Sequence, residues 1–564
     1  MPCASPIKSD IPDQDRLFFD AHVRIGARGA KHAALRWRLD QLIAEMEQCS
    51  ISAALVWSFQ SVRYDAMFGN RELVSQLSEY QNLFAGWNVL PHGTGEFPHP
   101  AELVREMRQA GVRACCIHPR TNAWDLFGDH VRPLFDELRA HKIPCFLHRA
   151  EIDSWRQLDL FLENNRGLAV VLSGAGWSEQ RYMIPLLRKY SDLHVTLESA
   201  QINRGIEDLC AWGHSGQVLF GTNAPAMSMG AHRCYVDYAE ATGLQKSAVA
   251  SGNLMRLLGV EKPPELHSNP NDDVFMAAAK AGRPMPGGVI DMHMHILHEG
   301  LNGGGGHFRM SNGGPIAVFE QLQRMGAVGG GFMSWNGTVG GDSVAGNHCV
   351  QVALDAAPPG YWGLATFDPC HYSADKLGRM IPSFYESDPR FIGMKPYFLY
   401  GVEYHHRSYD LWWNFGNEHG FYAGLHRVRN DYQEVECLAE RYPNVRWVVF
   451  HCGSDYAAAD GVIECIRRFP NVYAEITFTS VTSGIIEYLV EHAGAERVLY
   501  GSDLPMRDPT PQLGWVVFSR LNLSDKIRIL RENALKTIEP CIGRLPTHNR
   551  PALPLGATNA RSSR

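Results

Sequence analysis

Residues 289–295 read Val-Ile-Asp-Met-His-Met-His, an apolar run that ends in two histidines. On an extended strand, residues two apart project to the same face, so His293 and His295 present both imidazoles to one side. One cation is able to bridge imidazoles at that separation. A His-x-His pair alone is weak evidence of a metal site, because two polar residues often end a strand. Support has to come from the rest of the chain.

Short apolar runs recur through the C-terminal half of the chain, with room for a helix between neighbours. They lie near 288–292, 328–335, 361–367, 391–398, 421–426, 446–451, 471–477 and 497–502. Strands buried on both faces have this continuous apolar character, which is typical of a parallel sheet. Eight strands that alternate with helices predict an α/β fold, a (β/α)8 barrel of the TIM type.

Further candidate ligands stand at the ends of these predicted strands. His426 ends the fifth run, His451 ends the sixth and Asp503 follows the eighth. A barrel gathers the carboxyl ends of its strands at one face, where its active site lies. We therefore predict that His293, His295, His426 and Asp503 hold a metal ion, with His451 beside it.

Mixed imidazole and carboxylate ligation suits zinc, and it also suits manganese and ferrous iron. We expect one divalent metal ion, with Zn²⁺ first and Mn²⁺ or Fe²⁺ as alternatives. Such an ion lowers the pKa of bound water toward neutrality and produces a hydroxide nucleophile. Asp503 is expected to shuttle the proton, and His451 to hydrogen-bond the water or the developing oxyanion. The alternative for His451 is a fifth ligand or a residue that orients another ligand.

The N-terminal half repeats the same landmarks about 270 to 280 positions earlier. In chain order, the paired residues are Asp20 and Asp291, His22 and His293, His118 and Lys395, His148 and His426, Ser173 and His451, Asn223 and Asp503, and Asn253 and Asn533. The chain thus predicts two tandem barrels. We expect the first at 1–262, a linker rich in Pro, Asn, Asp and Gly at 263–286, the second at 287–545 and a disordered tail at 546–564.

Three of the five site positions differ in the first copy. Arg24 replaces the second histidine of the pair, Ser173 replaces the sixth-strand histidine, and Asn223 replaces the eighth-strand carboxylate. A guanidinium opposes metal binding, and an amide neither neutralises a cation nor shuttles a proton. We expect a metal-free, structural first barrel that packs on the second. The alternative is a pocket in which Arg24, His22 and His148 bind an anionic ligand.

These motifs resemble the amidohydrolase superfamily, in particular the amidohydrolase-related branch that includes aminocarboxymuconate-semialdehyde decarboxylase, resorcylate-type decarboxylases and dicarboxylate lactonases. The resemblance covers roughly 17–260 and 287–540. It implies that His293, His295 and His426 are ligands, that Asp503 is a ligand and proton shuttle, and that His451 sits by the reactive water.

The resemblance bears on Lys395 in two ways. In some relatives the fourth-strand lysine is carboxylated and bridges two metals, whereas in this branch it usually belongs to a packing motif. We expect one mononuclear site and keep the bridged site as the alternative.

The substrate-binding residues are less well marked than the ligands. Arg309, Arg427 and Arg507 lie on loops or strand ends near the predicted site and are candidates for binding a substrate carboxylate. Lys395 and Trp335 complete the candidate set. We expect hydrolysis of a lactone, amide or ester in a small, acidic substrate. The alternatives are non-oxidative decarboxylation of an aromatic or unsaturated acid, and a non-catalytic ligand-binding scaffold.

Composition and charge narrow the classes of molecule that the protein is expected to bind. The chain has 564 residues with 60 acidic and 53 basic side chains, and its net charge of −7 is not gathered into long runs, which argues against nucleic acid. No stretch approaches the roughly eighteen apolar residues of a membrane span, and the N-terminus lacks an apolar signal core. The sequence predicts a cytoplasmic enzyme of small molecules, as a monomer or a homodimer.

Overall fold

The structure is a computed structural model that describes residues 16–26, 28–262, 264–265, 269–299, 301, 306, 309–397, 401–426 and 432–551. The chain divides into two compact units. The first runs to Asp272 and also contains Gly306 and Arg309, and the second contains the other described residues from Asp273 onward.

The first unit contains eight parallel strands that pair in sequence order. They are β1 (Phe19–Ile25), β2 (Ala53–Ser58), β3 (Leu83–Asn88), β4 (Ala114–Ile117), β5 (Cys145–His148), β6 (Val170–Ser173), β7 (Leu193–Thr196) and β8 (Val218–Leu219). The helices are α1 (Leu39–Cys49), α2 (Phe59–Arg63), α3 (Ala66–Leu77), α4 (Pro100–Gln109), α5 (Arg132–Ala140), α6 (Trp155–Asn164), α7 (Gln180–Lys189), α8 (Gly205–Ala211), α9 (Met229–Asp237), α10 (Gly243–Ser247) and α11 (Asn253–Leu258).

The second unit repeats this order with eight more parallel strands. They are β9 (Val289–Ile296), β10 (Ala327–Ser334), β11 (Tyr361–Ala365), β12 (Phe391–Met394), β13 (Tyr422–Leu425), β14 (Arg446–Val449), β15 (Val472–Glu475) and β16 (Val498–Leu499). The helices are α12 (Val274–Lys280), α13 (Pro315–Met325), α14 (Ser343–Ala356), α15 (Ala374–Ser387), α16 (Asp410–His419), α17 (Gln433–Arg441), α18 (Tyr456–Arg468), α19 (Ile485–Ala493), α20 (Thr510–Val517), α21 (Leu523–Ile527) and α22 (Asn533–Ile538).

Each sheet closes on itself through its first and last strands. In the first unit the Ala21 amide donates to the Phe220 carbonyl, and in the second the Met292 amide donates to the Tyr500 carbonyl. Closed parallel sheets with intervening helices are (β/α)8 barrels. The predicted fold class, two tandem barrels of the TIM type, is confirmed.

Strand and helix composition accounts for these elements. All eight residues of β9 are buried, which matches the apolar run that ends in the two histidines. Helix α4 begins with a proline in its first turn, where no intrahelical donor is needed, and buries Leu103, Val104 and Met107 on one face. Burial of whole strands and of one helix face is what the apolar periods predict.

The segments predicted as linker and tail contain ordered structure. Asp273 caps α12, which belongs to the second unit and lies inside the predicted linker 263–286. Past residue 546, a short 3₁₀ helix spans Thr547–Asn549, and the side-chain amide nitrogen of Asn549 donates to the Tyr361 carbonyl at 2.8 Å. Hydrogen bonds to the barrel thus fix the start of the expected disordered tail. Residues 552–564 lie outside the described residues.

Across the described part of the chain, no helix has the length and apolar character that crossing a membrane requires.

Candidate metal centre

The second barrel carries a cluster of histidines and carboxylates at the carboxyl ends of its strands. His293 and His295 lie in β9, two residues apart and both buried. Asp503 follows β16 with a left-handed backbone (φ +60°), and its amide donates to the His293 carbonyl at 2.7 Å. That hydrogen bond joins the first and last strands of the barrel and positions the Asp503 carboxylate beside both imidazoles.

Three atoms converge in this cluster. Asp503 Oδ1 lies 3.6 Å from His293 Nε2 and 3.2 Å from His295 Nε2. The three residues form a group whose ligand atoms all lie within 4.8 Å of one another. A second such group combines His293 with His451 and Glu475.

The protonation of His293 follows from its partner on the other ring nitrogen. His293 Nδ1 lies 3.2 Å from Glu475 Oε2, and both Glu475 oxygens accept backbone amides, Oε1 from Thr477 at 2.8 Å and Oε2 from His451 at 3.2 Å. Burial raises the pKa of Glu475, while His451 and these hydrogen bonds oppose the rise. An acceptor so placed accepts a hydrogen bond from Nδ1–H of the neutral ring, so the proton stays on Nδ1 and the lone pair is on Nε2.

The same reasoning applies to His295. Its Nδ1 lies 3.4 Å from Thr338 Oγ1, and the Thr338 hydroxyl donates its one proton to the Ser334 carbonyl at 2.9 Å. His295 Nδ1–H is therefore the donor, and the lone pair lies on Nε2, facing Asp503. Two imidazole lone pairs and a carboxylate oxygen thus meet with no proton between them.

A divalent cation fits this arrangement. Two atoms each about 2.0–2.2 Å from one ion, at angles between about 90° and 110°, lie about 2.8–3.6 Å apart. The measured separations of 3.2 and 3.6 Å fall in that range. His293 Nε2 is buried and has no hydrogen-bond partner among the described residues. Nitrogen and oxygen donors of this kind suit zinc, manganese and ferrous iron alike.

His426 and His451 form a relay beside the cluster. His451 Nδ1 donates to the Thr477 carbonyl at 2.7 Å, so its Nε2 is an acceptor. His426 Nδ1 lies 2.9 Å from that Nε2 and must donate to it, which puts the His426 lone pair on Nε2. Burial and then His293 lower the pKa of His451 to about 3. Both rings are therefore neutral. Of the two groups of three candidate ligands that the described residues form around His293, neither contains His426.

Arg507 pairs with the outer oxygen of the Asp503 carboxylate. Its Nη2 lies 2.9 Å from Asp503 Oδ2, and both side chains are buried. Burial alone would raise the pKa of Asp503, but the paired Arg507 guanidinium holds it well below its usual range. Arg507 Nε and Nη1 are buried and find no acceptor among the described residues. These N–H groups are available to an anionic ligand.

The structure brings two further candidate residues to the cluster. Lys395 follows β12 and places its ammonium 5.1 Å from the Phe450 ring centre, and that ring stacks on His293 at 3.8 Å between centroids. Burial lowers the pKa of Lys395 to about 7. Trp335 meets His295 edge-on at 5.0 Å between centroids.

The other two arginines predicted to bind substrate are not in the cluster. Arg309 belongs to the first unit, where its guanidinium lies 2.6 Å from the Asp208 carboxylate and over the Trp212 ring. Proximity in sequence to the two histidines therefore does not place Arg309 in their cluster. Arg427 lies outside the described residues.

Sequence reasoning missed Glu475 and Thr338, which set the tautomers of the two β9 histidines. Glu475 is the last residue of β15. A carboxylate at the end of the seventh apolar run is the same kind of signal that identified Asp503, so Glu475 was open to prediction. Thr338 lies in a single turn of π-helix (Asn336–Gly340) after β10, which no apolar period marks.

The first barrel places different residues at the equivalent positions. Val23 pairs with Ala224 as Met294 pairs with Leu504, which sets Arg24 at the position of His295 and Asn223 at that of Asp503. Both groups of candidate ligands that the described residues form belong to the second unit.

A family profile described as Amidohydrolase matches residues 21–260 and again residues 290–538. The two matches cover most of the chain, one in each barrel, so the chain belongs to this amidohydrolase family. The duplication and the resemblance to this family are thereby confirmed.

Several solved structures are similar to one barrel's length of the chain. They include 5-carboxyvanillate decarboxylase from Sphingomonas paucimobilis (12% identity, 43% of this chain and 99% of that chain, TM-score 0.35). Another is 2,6-dihydroxybenzoate decarboxylase from Rhizobium (12%, 44% and 100%, TM-score 0.37), and a third is a putative amidohydrolase from Staphylococcus aureus (13%, 43% and 99%, TM-score 0.36). A comparison with curated proteins gives no match.

Proposed function

We propose that the second barrel is a metal-dependent hydrolase that cleaves a lactone, amide or ester in a small substrate bearing a carboxylate. The observation that carries the proposal is the convergence of His293 Nε2, His295 Nε2 and Asp503 Oδ1. The tautomers inferred from the partners of the two Nδ1 atoms place no proton between these three acceptors. Buried acceptors facing one another are unfavourable unless a cation lies among them.

His293, His295 and Asp503 would hold the ion, and His426 or His451 would complete its ligation. One divalent ion is expected, Zn²⁺ first, with Mn²⁺ or Fe²⁺ as alternatives. Such an ion supplies Lewis acidity and acidifies a water molecule. Glu475 keeps the His293 lone pair turned toward the ion, as carboxylates behind metal-binding histidines do.

Hydrolysis begins with removal of a proton from water, and the cluster is rich in acceptors. Asp503 Oδ1 is ionised and faces the two imidazoles, while Oδ2 is held by Arg507. His451 Nε2 accepts from His426 and has no proton of its own to give. We assign Asp503 as the residue that takes the proton of water and returns it to the leaving group.

Arg507 supports the acidic character of the substrate. Its guanidinium is buried, Nη2 is used by Asp503, and the N–H groups of Nε and Nη1 have no acceptor among the described residues. A buried, unsatisfied donor of a charged group costs about 1–3 kcal/mol, which a ligand carboxylate would recover. Trp335 supplies an aromatic wall on the other side of His295.

Decarboxylation is the second candidate, and Lys395 is the observation that favours it. Decarboxylation ends with delivery of a proton to carbon. Lys395 is a buried ammonium whose pKa falls to about 7, so it carries a proton that it is able to release near neutrality. Among the described residues around Asp503, the histidine Nε2 atoms offer no such proton.

Isotope incorporation separates the two reactions. The protein, loaded with Zn²⁺ or Mn²⁺, is incubated with a panel of lactones, N-acyl amino acids and hydroxybenzoic acids in H₂¹⁸O and in D₂O. Hydrolysis places ¹⁸O in the product without release of CO₂. Decarboxylation releases CO₂ and places deuterium on carbon. No turnover of any member by the metal-loaded protein would favour the non-catalytic scaffold.

Metal content tests the ligand set without depending on a substrate. His295→Gln should lower the metal bound per chain, measured by inductively coupled plasma mass spectrometry, from about one to near zero. His492→Gln is the matched control. His492 lies in the last turn of α19, the helix that leads into the amino end of β16, at the opposite end of the barrel from the cluster. Equal metal content in both variants would contradict the proposed site.

A further inference from the structure

The first barrel has a cavity of about 650 Å³ at the carboxyl ends of its strands. Arg24 of β1, His148 of β5 and Asn223 after β8 line it, together with Arg28 and Arg63. The cavity occupies the end of this barrel that corresponds to the candidate metal centre of the second, and all the residues named here belong to the first unit.

Hydrogen-bond polarity at this end is the reverse of that in the second barrel. Arg24 stands at the position of His295, and Asn223 at that of Asp503. A guanidinium has only donors, and an amide brings an NH₂ where the carboxylate had only acceptors. Two positions that offer lone pairs in one barrel therefore offer N–H groups in the other.

The histidine that ends β5 completes the reversal. His148 is the counterpart of His426, because His148 ends β5, the fifth strand of the first barrel, and His426 directly follows β13, the fifth strand of the second. His148 Nδ1 accepts the Ala150 amide at 3.1 Å, so in the neutral ring the proton is on Nε2. In His426 the lone pair is on Nε2 instead.

Acidic side chains compensate only part of the positive charge in the cavity. The structure gives the guanidinium groups of Arg24, Arg28 and Arg63 no hydrogen bond or ion pair to any residue that it describes. Arg24 Nε is buried and unsatisfied. Arg24 and Arg28 both lie over the Phe59 ring, at 5.9 and 5.6 Å from its centre. Three cations around one cavity repel one another unless an anion joins them.

The one carboxylate in the lining is already engaged. Glu151 accepts from the Thr121 amide at 2.9 Å and hydroxyl at 2.6 Å, and it lies 3.3 Å from His118 Nδ1. These hydrogen bonds outweigh burial and lower its pKa to about 2. With three guanidinium groups and one ionised carboxylate, the lining carries an excess of about two positive charges at neutral pH.

We propose that the first barrel is a binding site for a small dianion, a dicarboxylate or a phosphate, held by Arg24, Arg28 and Arg63 with the His148 Nε2–H. The replacements that remove the metal site convert a cation-binding end of the barrel into an anion-binding one. The apolar Phe59 and Val62 on the same wall accommodate a short carbon chain. The site goes beyond the proposed hydrolase and does not depend on it.

Titration calorimetry on the full chain tests the proposal. The protein is stripped of metal and carries Arg507→Gln, which removes the unsatisfied guanidinium of the second barrel. Succinate and inorganic phosphate are the probes, and acetate is the monoanion comparison, all at about 50 mM ionic strength. We expect succinate or phosphate to bind one per chain and at least about tenfold tighter than acetate, because the second negative charge meets a second guanidinium.

Variants locate the binding. Arg24→Gln should raise the Kd of the more tightly bound dianion by at least about tenfold, the loss expected for one charge-assisted hydrogen bond. Arg63→Gln, at an exposed position where folding is not at risk, should weaken it as well. Arg105→Gln, on the exposed face of α4, is the matched control and should leave binding unchanged.

The outcomes are distinct. Tighter binding of succinate than of phosphate identifies a dicarboxylate site, and tighter binding of phosphate identifies a phosphate site. Absence of heat for both dianions at millimolar concentration overturns the proposal. Binding that survives in both Arg24→Gln and Arg63→Gln also overturns it. Because no step uses the metal or turnover, a failed hydrolase assay leaves this result standing.

Discussion

Glu475→Gln tests whether the lone pair on His293 is what makes the second barrel a metal site. Glu475 Oε2 faces His293 Nδ1 and the His451 amide, and Oε1 faces the Thr477 amide and hydroxyl. Glutamine keeps the shape but replaces one oxygen with an NH₂ group. If that NH₂ takes the place of Oε2, it becomes a third donor facing the two N–H groups of His293 Nδ1 and the His451 backbone. If it takes the place of Oε1, it faces the Thr477 amide.

The expected effect is a loss of metal affinity. With the NH₂ at the Oε2 position, His293 Nδ1 can no longer donate there, so the ring adopts the tautomer with its proton on Nε2 and its lone pair on Nδ1. The proposed site would then lose the His293 ligand unless the ring turns. Loss of a carboxylate behind a metal-binding histidine raises the Kd by about 10 to 100-fold, or about 1.4–2.8 kcal/mol.

The assay is competition for Zn²⁺ against a chromophoric chelator, with the metal content of the dialysed protein as a second readout. Glu198→Gln is the control, since Glu198 Oε1 lies 3.4 Å from His22 Nδ1 in the first barrel, where no metal is expected. A Kd in Glu475→Gln within about threefold of the wild-type value would refute the tautomer reasoning. So would an equal loss in Glu198→Gln, which would point to general destabilisation.

Three other predictions concern metal capacity, stability and pH. The double variant Arg24→His with Asn223→Asp should raise the metal content from about one to about two per chain by mass spectrometry, and an unchanged content would contradict the assigned donor reversal. Zn²⁺ at about a thousand times its Kd should stabilise the second barrel by about 4 kcal/mol, seen as a calorimetric transition that a chelator lowers. Burial, then Arg256, lowers the pKa of His194 to about 4. Its contribution to stability is therefore present above pH 6.5 and is lost as the pH falls through 4. His194→Gln should remove up to about 3 kcal/mol of acid sensitivity between pH 7 and pH 4 in urea unfolding, and equal sensitivity in both proteins would contradict it.

The fold was predictable because burial on both faces leaves a direct trace in the sequence. Every predicted apolar run of the second half overlaps a strand of the second barrel, and the run at 289–295 lies entirely within β9. The histidines that follow β13 and β14 were also predictable as neighbours, because a parallel barrel fixes where strand ends meet. Spacing therefore predicts that His426, His451 and Asp503 lie at the same end of the barrel as the β9 pair.

Loop positions and protonation were not predictable in the same way. Arg309 follows the two histidines in sequence, yet it pairs with Asp208 in the first unit, because no period specifies the path of a long loop. The nitrogen of His295 that faces Asp503 depends on Thr338, which lies 43 positions away and belongs to an irregular turn. A hydrogen-bond network, rather than a spacing, decides whether a histidine pair is able to bind a cation.

Both barrels place a buried carboxylate beside the first histidine of β1 or β9, but at different positions in the sequence. The register of β7 and β15 makes Thr196 equivalent to Glu475, so Glu198 is the counterpart of Thr477. The carboxylate of the first barrel stands two residues later, past the end of β7, and it still lies 3.4 Å from Nδ1 of the first histidine, His22.

A carboxylate behind the first histidine is therefore common to both barrels, and it does not by itself indicate a metal. The difference lies on the opposite side of the ring, where His293 Nε2 faces the Asp503 carboxylate. At the equivalent position the first barrel has Asn223, whose amide cannot balance a cation. Under the two proposals, Asp503 rather than a histidine separates the metal site from the anion-binding site, which is why Arg24→His is expected to need Asn223→Asp before the first barrel binds an ion.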